Sequence, residues 1–224
     1  MRRAGLWRSG APLRQGCGVA SSDGWPALRC RLSPPMPSER GLAMSESDIR
    51  AKYVRRFHML DSAGDGYVDR SDVEERAQRL LDGVGEPAGT PRAAAVREGA
   101  AAFWQRLTEL AGVEDGGRLD EETFVSALQR ARELGTIGDL VGPSVQAHVD
   151  LIDTDGDGSV SLEEFLRSQS ACGLPEADSR WAFARLDLDG DGQVDVAEWQ
   201  RAVVGFYTDA GTDLPGDLIM GVRA

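Results

Sequence analysis

The stretch Asp153-Thr154-Asp155-Gly156-Asp157-Gly158-Ser159-Val160-Ser161-Leu162-Glu163-Glu164 decides the fold. It sets carboxylates at positions 1, 3, 5 and 12 of a twelve-residue loop, with Gly158 at position 6. A hard cation such as Ca²⁺ takes about six to eight oxygens. Alternating Asp residues offer oxygens from a short stretch, and Gly permits the sharp turn. The Glu at position 12 closes the shell with two oxygens. Asp187-Leu188-Asp189-Gly190-Asp191-Gly192-Gln193-Val194-Asp195-Val196-Ala197-Glu198 repeats the pattern 34 residues after the first. That interval leaves room for one exiting helix, a short linker and one entering helix.

The flanks fit such helices. Apolar residues stand four and one positions before each loop: Val149 and Ile152, then Phe183 and Leu186. This spacing places each pair on one helical face, aimed at a core. An aromatic residue, Phe165 or Trp199, opens each exiting helix, and the last stripe continues through Ala202, Val203 and Phe206. Position 8 holds Val160 and Val194, β-branched and suited to a short antiparallel bridge between the loops. Loop and flanks together resemble the EF-hand unit.

The same template finds a unit upstream. Phe57 and Leu60 precede Asp61-Ser62-Ala63-Gly64-Asp65-Gly66-Tyr67-Val68-Asp69-Arg70-Ser71-Asp72. Position 3 is Ala63, which has no side-chain oxygen, and position 12 is Asp72, one methylene shorter than Glu. Asp69 at position 9 can supply an oxygen directly or through water. Weaker binding is expected here, with more tolerance of the six-coordinate shell of Mg²⁺. Another unit keeps only the rhythm. Gly117 and Leu119 hold positions 6 and 8, but Gly112 and Thr123 hold positions 1 and 12. Leu107 and Leu110 stand one residue out of phase before it, and Glu114, Asp115 and Asp120 do not make a full shell. This second unit is expected to be structural, serving as partner to the first.

Residues 82–92 are rich in Gly and Pro and read as a linker, followed by a long helix over roughly 93–110 with a stripe of Val96, Ala100, Phe103, Trp104, Leu107 and Leu110. A second break is expected from Gly135 to Pro143. The chain then divides into an N-terminal pair of units over residues 44–134, a C-terminal pair over 135–207 and a tail over 208–224, in which Leu214, Leu218 and Ile219 can dock on the body. Residues 1–43 carry seven Arg against Asp23 and Glu39, and five Pro, which oppose a stable helix. They read as a disordered basic extension, an over-extended start before Met44, or an organelle transit segment.

Net charge is −12, with 37 acidic against 25 basic residues, so nucleic acid is not an expected partner. No apolar run approaches the roughly 20 residues of a membrane span, and no secretory signal is supported. The three Cys (Cys17, Cys30 and Cys172) have no framework spacing, and neither His lies near them, so neither a disulfide scaffold nor zinc is implied. No Ser-His-Asp or Cys-His arrangement marks an enzyme. Trp104, Trp181 and Trp199 are read as core packing rather than as a ligand pocket.

Three complete or near-complete loops, a silent second unit and a long helix within it resemble the sarcoplasmic calcium-binding proteins and their bacterial relative calerythrin, over residues 46–207. The resemblance implies an all-α fold, with four EF-hand units in two pairs forming one compact globule. It also implies ligands by position: Asp61, Asp65, Asp69, Asp72 and the Tyr67 carbonyl; Asp153, Asp155, Asp157, the Ser159 carbonyl and Glu164; Asp187, Asp189, Asp191, the Gln193 carbonyl and Glu198. The usual role in that family is calcium buffering. Of the five Met residues only Met59 lies in a unit, which fits a rigid buffer better than a sensor with a Met-rich groove. The expectation is a cytoplasmic, monomeric buffer. A sensor that docks a target protein is the alternative, and a photoprotein-like ligand carrier a remoter one.

Overall fold

The computed structural model describes residues 46–114, 116–171, 174–211 and 214–220. The basic segment 1–43 and all three Cys lie outside them. Four helix–strand–helix repeats follow one another. The first is α1 (Glu46–Leu60), β1 (Tyr67–Val68) and α2 (Arg70–Val84). The second is α3 (Pro91–Ala111), β2 (Leu119–Asp120) and α4 (Glu121–Glu133). The third is α5 (Ile137–Ile152), β3 (Ser159–Ser161) and α6 (Leu162–Ala171), and the fourth α7 (Glu176–Leu186), β4 (Gln193–Asp195) and α8 (Val196–Thr208). A short helix, α9 (Pro215–Ile219), closes the described chain.

The repeats pair through their loops. β1 and β2 are antiparallel with Val68 opposite Leu119, and β3 and β4 with Val160 opposite Val194. All four of these side chains are fully buried. Thus position 8 of every loop points inward, as its β-branched or aliphatic character predicts. The residues four and one positions before loops one, three and four (Phe57 and Leu60, Val149 and Ile152, Phe183 and Leu186) are buried as well.

The linker expected over 82–92 is shorter than that: α2 runs on to Val84, Gly85 ends it in the left-handed conformation, and Thr90 caps α3, with Pro91 at its first turn. The expected break from Gly135 to Pro143 is only half there. Gly135, at φ 69°, does end the α4 segment, but α5 starts at Ile137 and runs through Pro143. Pro143 lies in the helix interior, where it removes one backbone hydrogen bond. Packing against α3 holds the helix together across it. Ser144 Oγ donates to the Gly99 carbonyl at 2.8 Å. A Cβ on Gly99 would lie 2.9 Å from the Pro143 carbonyl oxygen, so only glycine allows so close a crossing.

α3 and α5 belong to different pairs, so this crossing joins the two pairs into one continuous buried core. A second junction ties the ends. Tyr53 donates to the Tyr207 carbonyl at 2.5 Å, and Lys52 donates to the Asp209 carbonyl at 2.9 Å. Lys52 Nζ also stands 2.9 Å from Asp217 Oδ1, an ion pair out of line for a good hydrogen bond, with both groups buried. The tail docks as expected for Leu218, which is buried in α9.

Candidate metal centres

Each complete loop leaves its entering helix at an aspartate. Asp153 and Asp187 end α5 and α7 in extended backbone, with their N–H groups still bonded to Val149 and Phe183. The same carboxylates then organise the turn. Asp153 accepts the amides of Gly156 and Gly158 at 2.7 and 2.9 Å, and Asp187 those of Gly190 and Gly192 at 2.8 and 3.0 Å. Asp61 repeats this with Gly64 and Gly66 at 2.8 and 3.0 Å. Position 6 has φ of 83°, 92° and 86° at Gly66, Gly158 and Gly192, which a side chain would strain.

Position 12 closes loops three and four. Glu164 Oε1 accepts from Thr154 N and Oγ1, both at 2.7 Å, and Oε2 from Ser161 N and Oγ at 2.9 and 2.8 Å. Glu198 accepts from Leu188 N at 2.7 Å and Asp195 N at 3.1 Å. Each Glu therefore spans positions 2 and 9. In loop one Asp72 Oδ2 accepts the Asp69 amide at 2.9 Å, but the opposite side is not closed. The Ser62 amide bonds the Leu60 carbonyl instead, and only the Ser62 hydroxyl reaches Asp72, at 3.4 Å. The missing methylene is the physical cause. Asp69 Oδ1 is engaged as the cap of α2, accepting from Ser71 N, Ser71 Oγ and Asp72 N.

Asp153, Asp155 and Glu164 each bring one carboxylate oxygen within 4.8 Å of the others, and so do Asp187, Asp189 and Asp191. Asp157 and Glu198 stand outside these groups. Asp61, Asp65, Asp69 and Asp72 form no such group among the described residues. Asp157 Oδ1 accepts from Ser159 N and Oγ, and Asp65 Oδ1 from Tyr67 N at 2.9 Å. Tyr67, Ser159 and Gln193, whose carbonyls were expected as ligands, all lie on the bridging strands. Such donor sets, all oxygen and mutually close, fit a hard divalent cation.

The electrostatics agree with that chemistry. Burial acts to raise the Glu164 pKa, but hydrogen bonds from Thr154 and Ser161 outweigh it and bring it down to about 2. Asp155 goes the other way. The Asp157 amide bond lowers it, yet burial and the charges of Asp157 and Glu164 together leave it raised. Carboxylates that repel one another at a loop centre are arranged for a cation.

Among the described residues the second unit has no such group of carboxylates. Gly112 takes the position of the first ligand at φ 70°, and Asp120 caps α4 by accepting the Thr123 amide at 2.9 Å. Arg118 lies over the Tyr67 ring at 3.7 Å, a cation from the silent loop against its partner. Sequence reasoning missed three groups near the third loop. The hydroxyls of Thr154 and Ser161 on Glu164 were legible as polar residues at positions 2 and 9. The Arg92 guanidinium, which donates to the Asp153 carbonyl at 2.7 Å, had no sequence signal. Trp104 is core, as expected, and Trp181 lies beneath Arg185 at 3.9 Å. Trp199 is buried but also walls a cavity with His148.

Known proteins share this arrangement. A model of the EF-hand domain pair matches residues 115–169, and one of the EF hand matches 182–204. A calcium-binding protein of Streptomyces coelicolor is 34% identical, covering 71% of this chain and 98% of its own, with a TM-score of 0.61. Calerythrin of Saccharopolyspora erythraea is 27% identical over 156 residues, 68% of this chain and 88% of its own. The photoprotein mitrocomin of the jellyfish Mitrocoma cellularia has the same fold, with a TM-score of 0.65 at 22% identity over 81% of this chain and 93% of its own. The loops, their pairing and these relatives agree: the chain belongs to the EF-hand calcium-binding proteins and is calerythrin-like.

Proposed function

We propose that this chain is a cytoplasmic, monomeric calcium buffer with sites in loops one, three and four and a silent loop two. The observation that carries the reading is the reach of Glu164 and Glu198 from position 12 to the amide of position 2. Residues so placed would hold Ca²⁺ with two oxygens from each Glu, joined by Asp153, Asp155, Asp157 and the Ser159 carbonyl, or by Asp187, Asp189, Asp191 and the Gln193 carbonyl. Loop one would use Asp61, Asp65, Asp69, Asp72 and the Tyr67 carbonyl, with lower affinity and with Mg²⁺ in competition. When bound, the ion supplies positive charge that offsets the carboxylate repulsion. The binding free energy then adds to folding stability by mass action.

A rigid core supports buffering over sensing. Phe165 meets Phe183 and Trp199 edge-on at 5.5 and 5.6 Å, just behind the two complete loops. Aromatic rings locked in this way resist the opening that exposes a target groove. Sensing is favoured instead by the Streptomyces relative, which is described as acting in calcium-mediated regulation. Calcium titration calorimetry in a magnesium background, joined to retention on a phenyl matrix, separates the two. A buffer takes up three equivalents, two of them with affinities of about 10⁻⁹ to 10⁻⁶ M, and passes through the matrix with or without calcium. Calcium-dependent retention would establish the sensor, and fewer than two tight equivalents would overturn the site assignment.

A further inference from the structure

The calcium reading leaves unused a partly open cavity of about 710 Å³ lined mainly by α1, α2, α3, α5 and α8. Its wall is mainly aliphatic and aromatic, but its charges are one-sided. Arg56, Arg76 and Arg79 line it, and no carboxylate among the described residues does, in a chain of net charge −12. Arg79 is paired with Glu75 at 3.6 Å. Arg56 is not offset in that way. It is 7% exposed, and its Nε and Nη1 are buried with no hydrogen-bond partner in the protein. Leaving charged donors unsatisfied in a buried site is costly, and a fold that keeps them there has positioned them for an acceptor.

His148 lines the cavity as well, its ring tilted against Trp199 with centroids 5.0 Å apart. Its Nε2 is likewise buried and unpartnered. Burial first, and the nearby Arg76 charge second, push its pKa down to about 4, so at neutral pH it adds no second cation. Apart from these groups and Ser144, Gln169 and Tyr207, the wall is apolar, with Phe103, Met59 and Met220 among its members. Arg76 has a partner of its own, so the lining leaves Arg56 as its uncompensated cation, beside a large apolar volume.

We propose that this cavity binds a monoanionic amphiphile, an apolar chain or ring system bearing one carboxylate, with Arg56 as the partner of the anion. A monoanion matches one unpaired guanidinium, whereas a dianionic phosphate would leave a negative charge buried without a partner. The body of the ligand fills apolar space that pockets of this size commonly use. The site is separate from the calcium loops and does not depend on how many of them bind.

The test is isothermal titration of the full chain, in calcium-containing buffer, with decanoate, decanol, decylammonium and decyl phosphate. Decanoate is expected to bind one-to-one and at least about tenfold more tightly than the other three. Arg56→Met should erase that preference by weakening decanoate about tenfold or more while leaving decanol unchanged, and Arg56→Lys should restore part of it. Ala100→Phe, which fills the cavity, should weaken all four. Equal binding of decanoate and decylammonium to the native chain would overturn the proposal even if no variant folds. So would decyl phosphate as the tightest ligand, or decanoate affinity untouched by Arg56→Met.

Discussion

Replacing Glu164 by Gln and, separately, Glu198 by Gln should destabilise the metal-free protein unequally. Glu164 accepts four hydrogen bonds, two on each oxygen, whereas Glu198 accepts two, one on each. In either variant one oxygen becomes an NH₂ group facing donors. Glu164→Gln thus loses two charge-assisted bonds and Glu198→Gln one. At about 1.5 kcal/mol for each bond, the low end for charged groups, the costs are about 3 and about 1.5 kcal/mol. For a domain of about 150–250 residues these correspond to Tm losses of about 6–12 °C and about 3–6 °C. Thermal unfolding in chelator measures them, and calcium titration of the same variants should show one tight equivalent lost in each. Equal destabilisation by the two changes would refute the hydrogen-bond argument, and unchanged stoichiometry in both would refute the assignment of position 12.

The remaining predictions concern acid, the buried ion pair, the helix crossing and loop one. Because the folded pKa of Glu164 is about 2, against an ordinary 4.5, its contribution to stability is full above about 4.5 and fades as pH falls toward 2; urea unfolding of the metal-free protein should show the gap between native chain and Glu164→Gln closing over that window. Lys52→Met leaves Asp217 buried without its cation and should cost about 3–5 kcal/mol, whereas Lys52→Met with Asp217→Asn should cost clearly less, and simple additivity of the two changes in chemical denaturation would sink the ion-pair account. Gly99→Ala forces a Cβ to within 2.9 Å of the Pro143 carbonyl, so a loss of about 1–3 kcal/mol is expected in the same assay, and no loss would mean that α3 and α5 are not in such close contact. Ala63→Asp with Asp72→Glu should tighten loop one for Ca²⁺ relative to Mg²⁺ in competition titrations; selectivity that does not move would show that neither the absent oxygen nor the absent methylene limits this site.

Much of the fold was legible because its rules are local. Asp at alternate positions, Gly at position 6 and a β-branched residue at position 8 fix loop and bridge within twelve residues, and the register of Val160 against Val194 follows from them. Pro143 was misread for the opposite reason. Locally it marks a break. The helix persists through it because Gly99 on α3 lets the two backbones touch, and that contact spans 45 residues from Gly99 to Ser144. The same holds for the cavity. Trp199 by itself looked like a core residue, and only the assembled helices show that it lines open space together with His148 and Arg56.

The persistence of a silent second unit has a mechanical reading. In loops three and four the first ligand continues from its helix in extended backbone, with φ and ψ of −66° and 94° at Asp153. At the same point in the second unit Gly112 turns left-handed, and the amides of Gly112 and Val113 bond back to Glu109 and Thr108. This helix ends by closing on itself, so an aspartate placed there would strain the cap instead of becoming a ligand. What the unit keeps is everything that is not coordination. β2 still pairs with loop one, and the 21-residue α3 still reaches across to the C-terminal pair. There its first turn, through Arg92, holds the carbonyl of Asp153, the residue that opens loop three. The unit with no coordinating loop among the described residues thus fixes the backbone from which a neighbouring set of carboxylates is hung.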